Sequence, residues 1–404
     1  MFTRVSTSEL FRQSVGTILE GQAQVGKTSL QIASGKRILS PADDPSGSVQ
    51  SLELGTALAV NTQFQRNIDV ATQKIQYEET ALNSVVTNMQ RVRELVVQAN
   101  NDSQTADTRS YIASEIRQLL DEMVGLANSQ DANGEYIFAG YRSNTQPFSI
   151  DSTGNVSYIG DDNQRYVQIS PVRQVAIGNS GDDVFNNILD GNGSFTTSAS
   201  TTNNGTAIID TGRVTDLATW QANVDTYTVS ITEPTPGNLE YTVTDSSATV
   251  VAGPAAYASG ADISVAAAGF QFSLEGVPAA GDTFTITPST NKSIFDTYRD
   301  IANALESNSD DAAVRAQMHT ILNQGLQELQ TDLINVDRIR SGIGARLNAL
   351  EGQSDINESA GLQLKTVKSA IEDLDYAEAI SRFQQQLTGL EAAQKTYIQI
   401  QGLS

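Results

Sequence analysis

The chain has 404 residues, enough for two or three domains at roughly 150 residues each. Its 25 Lys and Arg residues against 47 Asp and Glu residues give a net charge of −22, which disfavours nucleic acids and anionic membrane surfaces as partners. The absence of cysteine excludes disulfide bonds, thiolate catalysis and cysteine-ligated metal sites.

The N-terminal residues predict a helix with one apolar face. No apolar run in this stretch reaches the roughly 7 to 15 residues of a secretory signal, so we expect no cleavable signal peptide. Nor does any run approach the ~18 apolar residues of a membrane-spanning helix. Five residues recur at helical spacing and predict the apolar stripe: Phe11, Val15, Ile18, Val25 and Ile32.

Residues 21–28, which read GQAQVGKT, match the phosphate-loop pattern of nucleotide-binding enzymes. Such a loop needs a buried strand before it and a helix after it, because the backbone N–H groups of a tight turn bind the phosphates. Residues 17–20 are too short and too polar for a central strand, and the apolar stripe continues through the match. We therefore predict a helix and keep a nucleotide hydrolase that uses Lys27 as the less favoured alternative.

Proline is absent from residues 1–40, 46–146 and 289–404, so these three tracts can hold long helices. Asp44 followed by Pro45 predicts the start of a helix that runs to about residue 100. A polar break follows, and a second helix returns alongside the first. The two apolar stripes are Phe64, Ile68, Ala71, Ile75, Glu78, Leu82, Val85, Met89, Val92, Val96 and Ala99, then Ile112, Ile116, Leu119, Met123 and Leu126.

The C-terminal tract repeats this pattern. A short helix at 294–305 leads into a long one, and near Asp375 the spacing slips, which predicts a bend or a segment boundary. The long stripe consists of Leu322, Leu326, Leu329, Leu333, Val336, Arg340, Ile343, Leu347 and Leu350. After the slip, a new stripe consists of Ile380, Phe383, Leu387, Leu390 and Tyr397.

Residues from about 141 to 290 differ in character, with most of the prolines and many Gly, Thr and Asn residues. Alternating apolar and polar residues predict half-buried strands at 227–231, 239–243, 270–274 and 283–286. Acidic residues without basic ones between Arg213 and Lys292 predict an anionic, solvent-facing module.

The predicted fold is mainly α with an inserted β domain: a long coiled-coil-like helical rod formed by the N- and C-terminal tracts, with the β-rich domain at its tip. The predicted domains are a terminal coiled-coil assembly region at 1–45 and 375–404, a helical rod domain at 46–140 and 291–374, and a β-rich outer domain at 141–290.

Both chain ends carry an apolar face that needs a cover. The ends pair with each other, with neighbouring copies, or with both, and we favour assembly over a closed monomer. The predicted assembly interface consists of Phe11, Val15, Ile18, Val25, Ile32, Ile380, Phe383, Leu387, Leu390 and Tyr397.

No residue pattern predicts a catalytic, cofactor or metal site. His319 is the single histidine, and no nucleophile motif accompanies it, so a helix residue without catalytic role is the favoured interpretation. Asp161-Asp162 and Asp182-Asp183 lack the spacing of a calcium loop and are interpreted as solvated turn residues.

Three segments resemble one bacterial family. Residues 34–45, reading SGKRILSPADDP, resemble a segment shared by flagellins and hook-associated proteins. Residues 131–148, reading DANGEYIFAGYRSNTQPF, and the C-terminal segment 389–404 are similar, more narrowly, to the hook–filament junction (hook-associated protein 3) family.

This resemblance implies a non-enzymatic adaptor between the flagellar hook and the flagellin filament. It implies self-assembly through the terminal helices, no cofactor, and an extracellular location reached through the flagellar type III apparatus without a cleaved signal. The implied partners are further copies of the chain, a neighbouring hook-associated protein, flagellin and an export chaperone, with neither nucleic acid nor membrane. A flagellin filament subunit is the alternative within the same superfamily.

Overall fold

A computed structural model of the chain describes residues 7–151, 153–307 and 311–402. Long helices lie towards both ends of the sequence, and strands occupy its middle. Within the described residues the helices are α1 (Thr7–Ser34), α2 (Pro45–Ala99), α3 (Ala106–Ala127), α4 (Leu217–Ala222), α5 (Ile294–Glu306), α6 (Ala312–Glu372) and α7 (Tyr376–Gly402).

The strands lie between α3 and α5, together with α4 and a π-helical turn at Asp182–Asn186. They are β1 (Phe148–Ile150), β2 (Val156–Tyr158), β3 (Tyr166–Ser170), β4 (Arg173–Ala176), β5 (Ile188–Leu189), β6 (Phe195–Ala199), β7 (Ile208–Ile209), β8 (Arg213–Val214), β9 (Tyr227–Thr235), β10 (Asn238–Thr244), β11 (Val250–Ala256), β12 (Asp262–Val265), β13 (Phe270–Glu275), β14 (Thr283–Pro288) and β15 (Asn291–Lys292).

The predicted helices and strands are confirmed. The helix that begins at Pro45 ends at Ala99, and the slip near Asp375 is the break between α6 and α7. The four predicted strands are β9, β10, β13 and β14. A mainly α fold with an inserted β domain is therefore confirmed.

The chain divides into two units. The terminal unit comprises Met1–Ile68, Ile169–Pro171 and Glu351–Ser404, and the central unit comprises Asp69–Gln168 and Val172–Leu350. The three-part domain division from the sequence stays a prediction.

The central unit buries most of the predicted helical stripes, whereas Leu119, Leu126, Leu326, Arg340 and Leu347 are half-buried. From Ala71 to Ala99, every member of the α2 stripe is buried, including the carboxyl group of Glu78. Glu78 Oε1 accepts hydrogen bonds from the backbone N–H of Asn179 at 3.0 Å and from its Nδ2 at 2.6 Å. On α5, Tyr298 is fully buried and donates its hydroxyl to Asn88 Oδ1 on α2 at 3.0 Å.

The core of the β domain, in the central unit, is formed by two antiparallel sheets, and the structure also has the strand pairs β1-β2, β3-β4 and β5-β15. The larger has the strand order β11-β10-β9-β14-β6, and in the smaller β12 and β7 both pair with β13, as does β8. Aromatic side chains fill the core, where the single tryptophan, Trp220, lies 5.3 Å from Phe195 and 5.7 Å from Phe270 between ring centroids. Alternate residues of β9 and β13 point into this core, as the sequence predicts.

Candidate assembly interface

The terminal helices α1 and α7 lie side by side and antiparallel in the terminal unit. The rings of Phe11 and Tyr397 are 5.1 Å apart, and Thr28 donates its hydroxyl to Gln386 Oε1 at 2.8 Å. Between them, Leu390 Cδ1 would lie 3.3 Å from a Cβ built on Gly21. The absence of a side chain at Gly21 therefore lets the two helices approach closely.

The two predicted terminal stripes meet in this helix pair. Eight of the ten predicted interface residues are half-buried, namely Val15, Ile18, Val25, Ile32, Phe383, Leu387, Leu390 and Tyr397. The other two stay more exposed, Phe11 at 41% and Ile380 at 45%. The ends therefore cover each other in part within one chain, and the role of these residues between copies stays a prediction.

A tight connector, residues 35–44, fixes the end of α1 to the junction of α6 and α7. Gly35 has φ of +68°, and a Cβ on it would lie 2.8 Å from the Tyr376 hydroxyl. Its carbonyl accepts a hydrogen bond from the Leu374 N–H at 3.0 Å, and Arg37 N–H donates to the Glu372 carbonyl at 2.7 Å. The connector thus satisfies backbone groups that a helix end leaves unpaired.

Arg37 holds the C-terminal end of α6. Its Nη2 donates to the Ile371 carbonyl at 2.8 Å and to Asp44 Oδ2 at 3.1 Å. A guanidinium at this position is favourable because the carbonyl groups at a helix C-terminus carry partial negative charge. Lys36 adds an ion pair to Glu372 at 3.2 Å.

Two carboxylates organise the other end of the connector. Asp43 accepts from the N–H groups of Leu39 and Ser40 at 3.0 and 2.9 Å, and it pairs with Lys27 at 2.6 Å. The Lys27 ammonium, together with these N–H donors, lowers the pKa of Asp43 to about 2. Asp44 is the N-cap of α2, and its pKa is lowered mainly because Oδ1 accepts from the Gly47 N–H at 2.9 Å.

The phosphate-loop match lies entirely within α1, so residues 21–28 do not form the strand, loop and helix that a phosphate-binding site needs. Residues 21–28 form helical turns, whose N–H groups bond within the helix and cannot wrap a phosphate. Lys27 contacts Asp43, and Thr28 contacts Gln386.

The remaining candidate residues occupy structural positions. His319 on α6 lies between two polar side chains. Its Nδ1 is 2.6 Å from Asn100 Oδ1, and its Nε2 is 3.1 Å from Asp102 Oδ1. Asp161 accepts from the N–H and side chain of Asn163 within its own turn, and Asp182 begins the π-helical turn. Among the described residues no three acidic or histidine side chains are grouped as metal ligands, and no helix in those ranges has the length and apolar content to cross a membrane.

Sequence reasoning missed the roles of Gly35, Arg37 and Gln31, whose Nε2 donates to the Arg37 carbonyl at 2.6 Å. A signal was present, since a glycine directly after the last periodic residue of a helix is typical of a left-handed C-terminal cap. Leu403 and Ser404, part of the C-terminal segment that carried the resemblance, lie outside the described residues.

Comparison with known proteins agrees with the family resemblance that the three sequence segments carry. A family model for the bacterial flagellin N-terminal helical region matches residues 5–143. Hook-associated protein 3 of Escherichia coli K12 is 37% identical over 185 residues, which are 46% of this chain and 57% of that protein. The chain thus spans little more than half the length of the curated relatives it matches.

Comparison with solved structures covers more of the chain than comparison with the curated relatives does. Hook-associated protein 3 of Legionella pneumophila is 32% identical, with a TM-score of 0.73, over 78% of this chain and 96% of that one. The chain belongs to the hook-associated protein 3 family. A Xanthomonas campestris member, FlgL, is 34% identical with a TM-score of 0.71, over 78% of this chain and 99% of that one.

Proposed function

We propose that this chain is a structural, non-enzymatic adaptor that joins the flagellar hook to the flagellin filament by self-assembly through its terminal helices. The observation that carries the proposal is the likeness, at 32% identity, to nearly the whole of a solved hook-associated protein 3. A solved relative from Legionella pneumophila, 34% identical to this chain, is a flagellar junction protein.

The terminal helix pair supports this role. α1 and α7 come from opposite ends of the sequence and cover each other only in part, so apolar surface is left for contacts outside the chain. We include the ten predicted interface residues in this assembly region, and eight of them are half-buried.

The proposal extends to location and partners. The chain acts outside the cell, at the junction, after export through the flagellar type III apparatus. Its partners are further copies of itself, a neighbouring hook-associated protein, flagellin, and a chaperone that covers the apolar C-terminal stripe before export.

Deletion of the gene tests the proposal. We expect cells with complete hooks that carry no filament and release flagellin monomers into the medium, with recovery on expression of the intact chain. Electron microscopy and a flagellin assay of the medium are the measurements. Filaments still attached to hooks in the deletion strain would overturn the junction role.

A flagellin filament subunit is the second candidate, and the match of residues 5–143 to a flagellin region favours it. A flagellin from Treponema pallidum is also 31% identical over 180 residues. The same deletion separates the two functions, because loss of the filament subunit would leave no flagellin in the medium.

A further inference from the structure

The side of α1 that faces away from α7 carries a second apolar stripe. Leu19 precedes Thr28 by nine residues, which places it half a turn around the helix from the contact with α7. This outer stripe has spacings of three and four, contains no charged residue, and consists of Gly16, Leu19, Ala23, Gly26, Leu30 and Ala33, all of them exposed. Leu19 and Leu30 are 59% and 63% exposed.

The small residues of the outer stripe leave room for another helix. No described atom lies within 4 Å of a Cβ built on Gly16 or on Gly26, whereas Gly21 on the inner side contacts Leu390. The outer side of α1 therefore leaves room for close approach at these two glycines.

The terminal unit also contains a groove that matches this stripe in length. The α2–α6 groove runs between residues 48–65 of α2 and 357–372 of α6, as two hollows of about 520 and 530 Å³, and residues 38–41 of the connector also line the first of them. Leu52 and Leu362 in its walls are 72% and 67% exposed. At 1.5 Å per residue the α6 wall is roughly 24 Å long and the outer stripe roughly 27 Å.

The charges beside the groove and beside the stripe are complementary in sign and spacing. Glu358 and Lys365 on α6 are seven residues apart and exposed, and so are Glu20 and Lys27 on α1. Lys27 stays 51% exposed although it contacts Asp43. When α1 and α6 of two copies lie antiparallel, Glu20 is opposite Lys365 and Lys27 is opposite Glu358. Both pairs can form together because the two charges on each helix are separated by the same rise of roughly 10.5 Å. In a parallel approach with Glu20 opposite Lys365, Lys27 would lie opposite Glu372, which already pairs with Lys36 at 3.2 Å.

The same register fits the apolar side chains. With Glu20 opposite Lys365, the protruding Leu362 lies opposite Ala23, one helical turn from Gly26. Leu30 lies opposite residue 355, just beyond the α6 wall of the groove. The large side chain of Leu362 in the groove thus meets small residues of the stripe, as helix packing requires.

We propose that the outer stripe of α1 packs antiparallel to α6 in the α2–α6 groove of a second copy of this chain. The proposal rests on the proposed function and names the contact by which copies join. Stripe and groove are different surfaces, so the contact is heterologous and repeats from copy to copy, as a ring or a helical array requires.

Cysteine cross-linking tests the register, because the chain has no cysteine of its own. Ala23→Cys and Leu362→Cys are made in full-length chains carrying tags of different size, mixed at high concentration and oxidised. A disulfide needs the two Cβ atoms at about 3.5–4.5 Å, so we expect a mixed dimer at several times the amount of either homodimer. Leu362→Cys with Ala392→Cys, on the polar side of α7, is the matched control and should not react.

Charge exchange tests the ion pair. In the cross-linking assay, Glu20→Lys in the Ala23→Cys chain or Lys365→Glu in the Leu362→Cys chain should each reduce the mixed dimer several-fold. The two together should restore it, whereas Glu391→Lys on α7 should change nothing.

Three results would overturn the proposal, and the first two are no mixed dimer up to the solubility limit and exchanged charges that fail to restore it. An Ala23→Cys homodimer as the main product would equally refute it, because α1 would then pack on α1. These failures are distinct from failure of the junction role, since a chain without this contact could still restore filaments to the deletion strain.

Discussion

At the scale of single residues, the central unit contains carboxyl groups where apolar side chains would be expected. Burial raises the pKa of Glu78, although Arg346 and the Asn179 donors oppose the shift. Burial also raises the pKa of Asp332 well above its usual value, and Glu328 adds to this, while Lys292 opposes it. Asp332 Oδ2 is buried and has no hydrogen-bond partner among the described residues. Ionising such a group within the core costs free energy.

Asp332→Asn should therefore stabilise the chain, and more so at higher pH. Because the folded pKa of Asp332 is raised, the folded state retains a proton that the unfolded state loses as pH rises above about 3.8. The wild-type chain loses stability over that range, and the variant does not. We expect a gain in the free energy of unfolding of about 1–2 kcal/mol at pH 7, and less at pH 4.

Urea unfolding at the two pH values is the measurement. Asp337→Asn is the matched control, since Asp337 lies on the same helix with its side chain 66% exposed. An equal effect of Asp332→Asn at both pH values would contradict the assignment.

At the scale of elements, the sequence predicts the helices well and their partners poorly. Heptad spacing and the absence of proline locate α2 and α6, since both signals are local. The pairing of α1 with α7 depends on Gly21 and on the connector, and apolar spacing alone does not identify a partner. The outer stripe was missed because four of its six residues are Gly or Ala, which carry little hydrophobic signal. The π-helical turn at Asp182–Asn186 has no comparable pattern.

Gly35→Ala should weaken the connector. A residue with a side chain is strained at φ of +68°, and its Cβ would press on the Tyr376 hydroxyl. We expect a loss of about 1–2 kcal/mol in the stability of the terminal unit, detected by faster hydrogen exchange in α1 and α7.

Gly389→Ala is the control, and we expect it to stabilise the terminal unit rather than weaken it. Gly389 lies inside α7 with no described atom within 4 Å of a Cβ, so alanine should stabilise that helix by up to about 1 kcal/mol. Unchanged hydrogen exchange in α1 and α7 of the Gly35→Ala variant would show that the connector does not hold these two helices together.

At the scale of the whole molecule, charge is distributed unequally. The terminal unit has 10 Lys and Arg against 13 Asp and Glu, a net charge of −3 out of −22 for the chain. The central unit carries the remaining −19. Copies therefore repel each other through their central units and much less through their terminal units, which favours association at the chain ends.

The two units should also respond separately to mutation. Leu390→Asp places a charge against Gly21 in the α1–α7 contact, and we expect loss of helical circular dichroism from that pair. The fluorescence of Trp220, buried in the β domain at 4% exposure, should keep its unfolding midpoint. Leu30→Asp, on the outer stripe, should leave both signals unchanged in the monomer, and a shifted Trp220 midpoint in either variant would contradict this independence.

The contact between Thr28 and Gln386 joins residues 358 positions apart. During synthesis, α1 leaves the ribosome first yet finds α7 only after almost every other residue has been added. Closing so long a loop has an entropic cost, so this contact forms late, after local contacts within the middle of the sequence. A premature stop before residue 376 would thus leave the first helix of the nascent chain without α7 to pack against, whatever else had already folded.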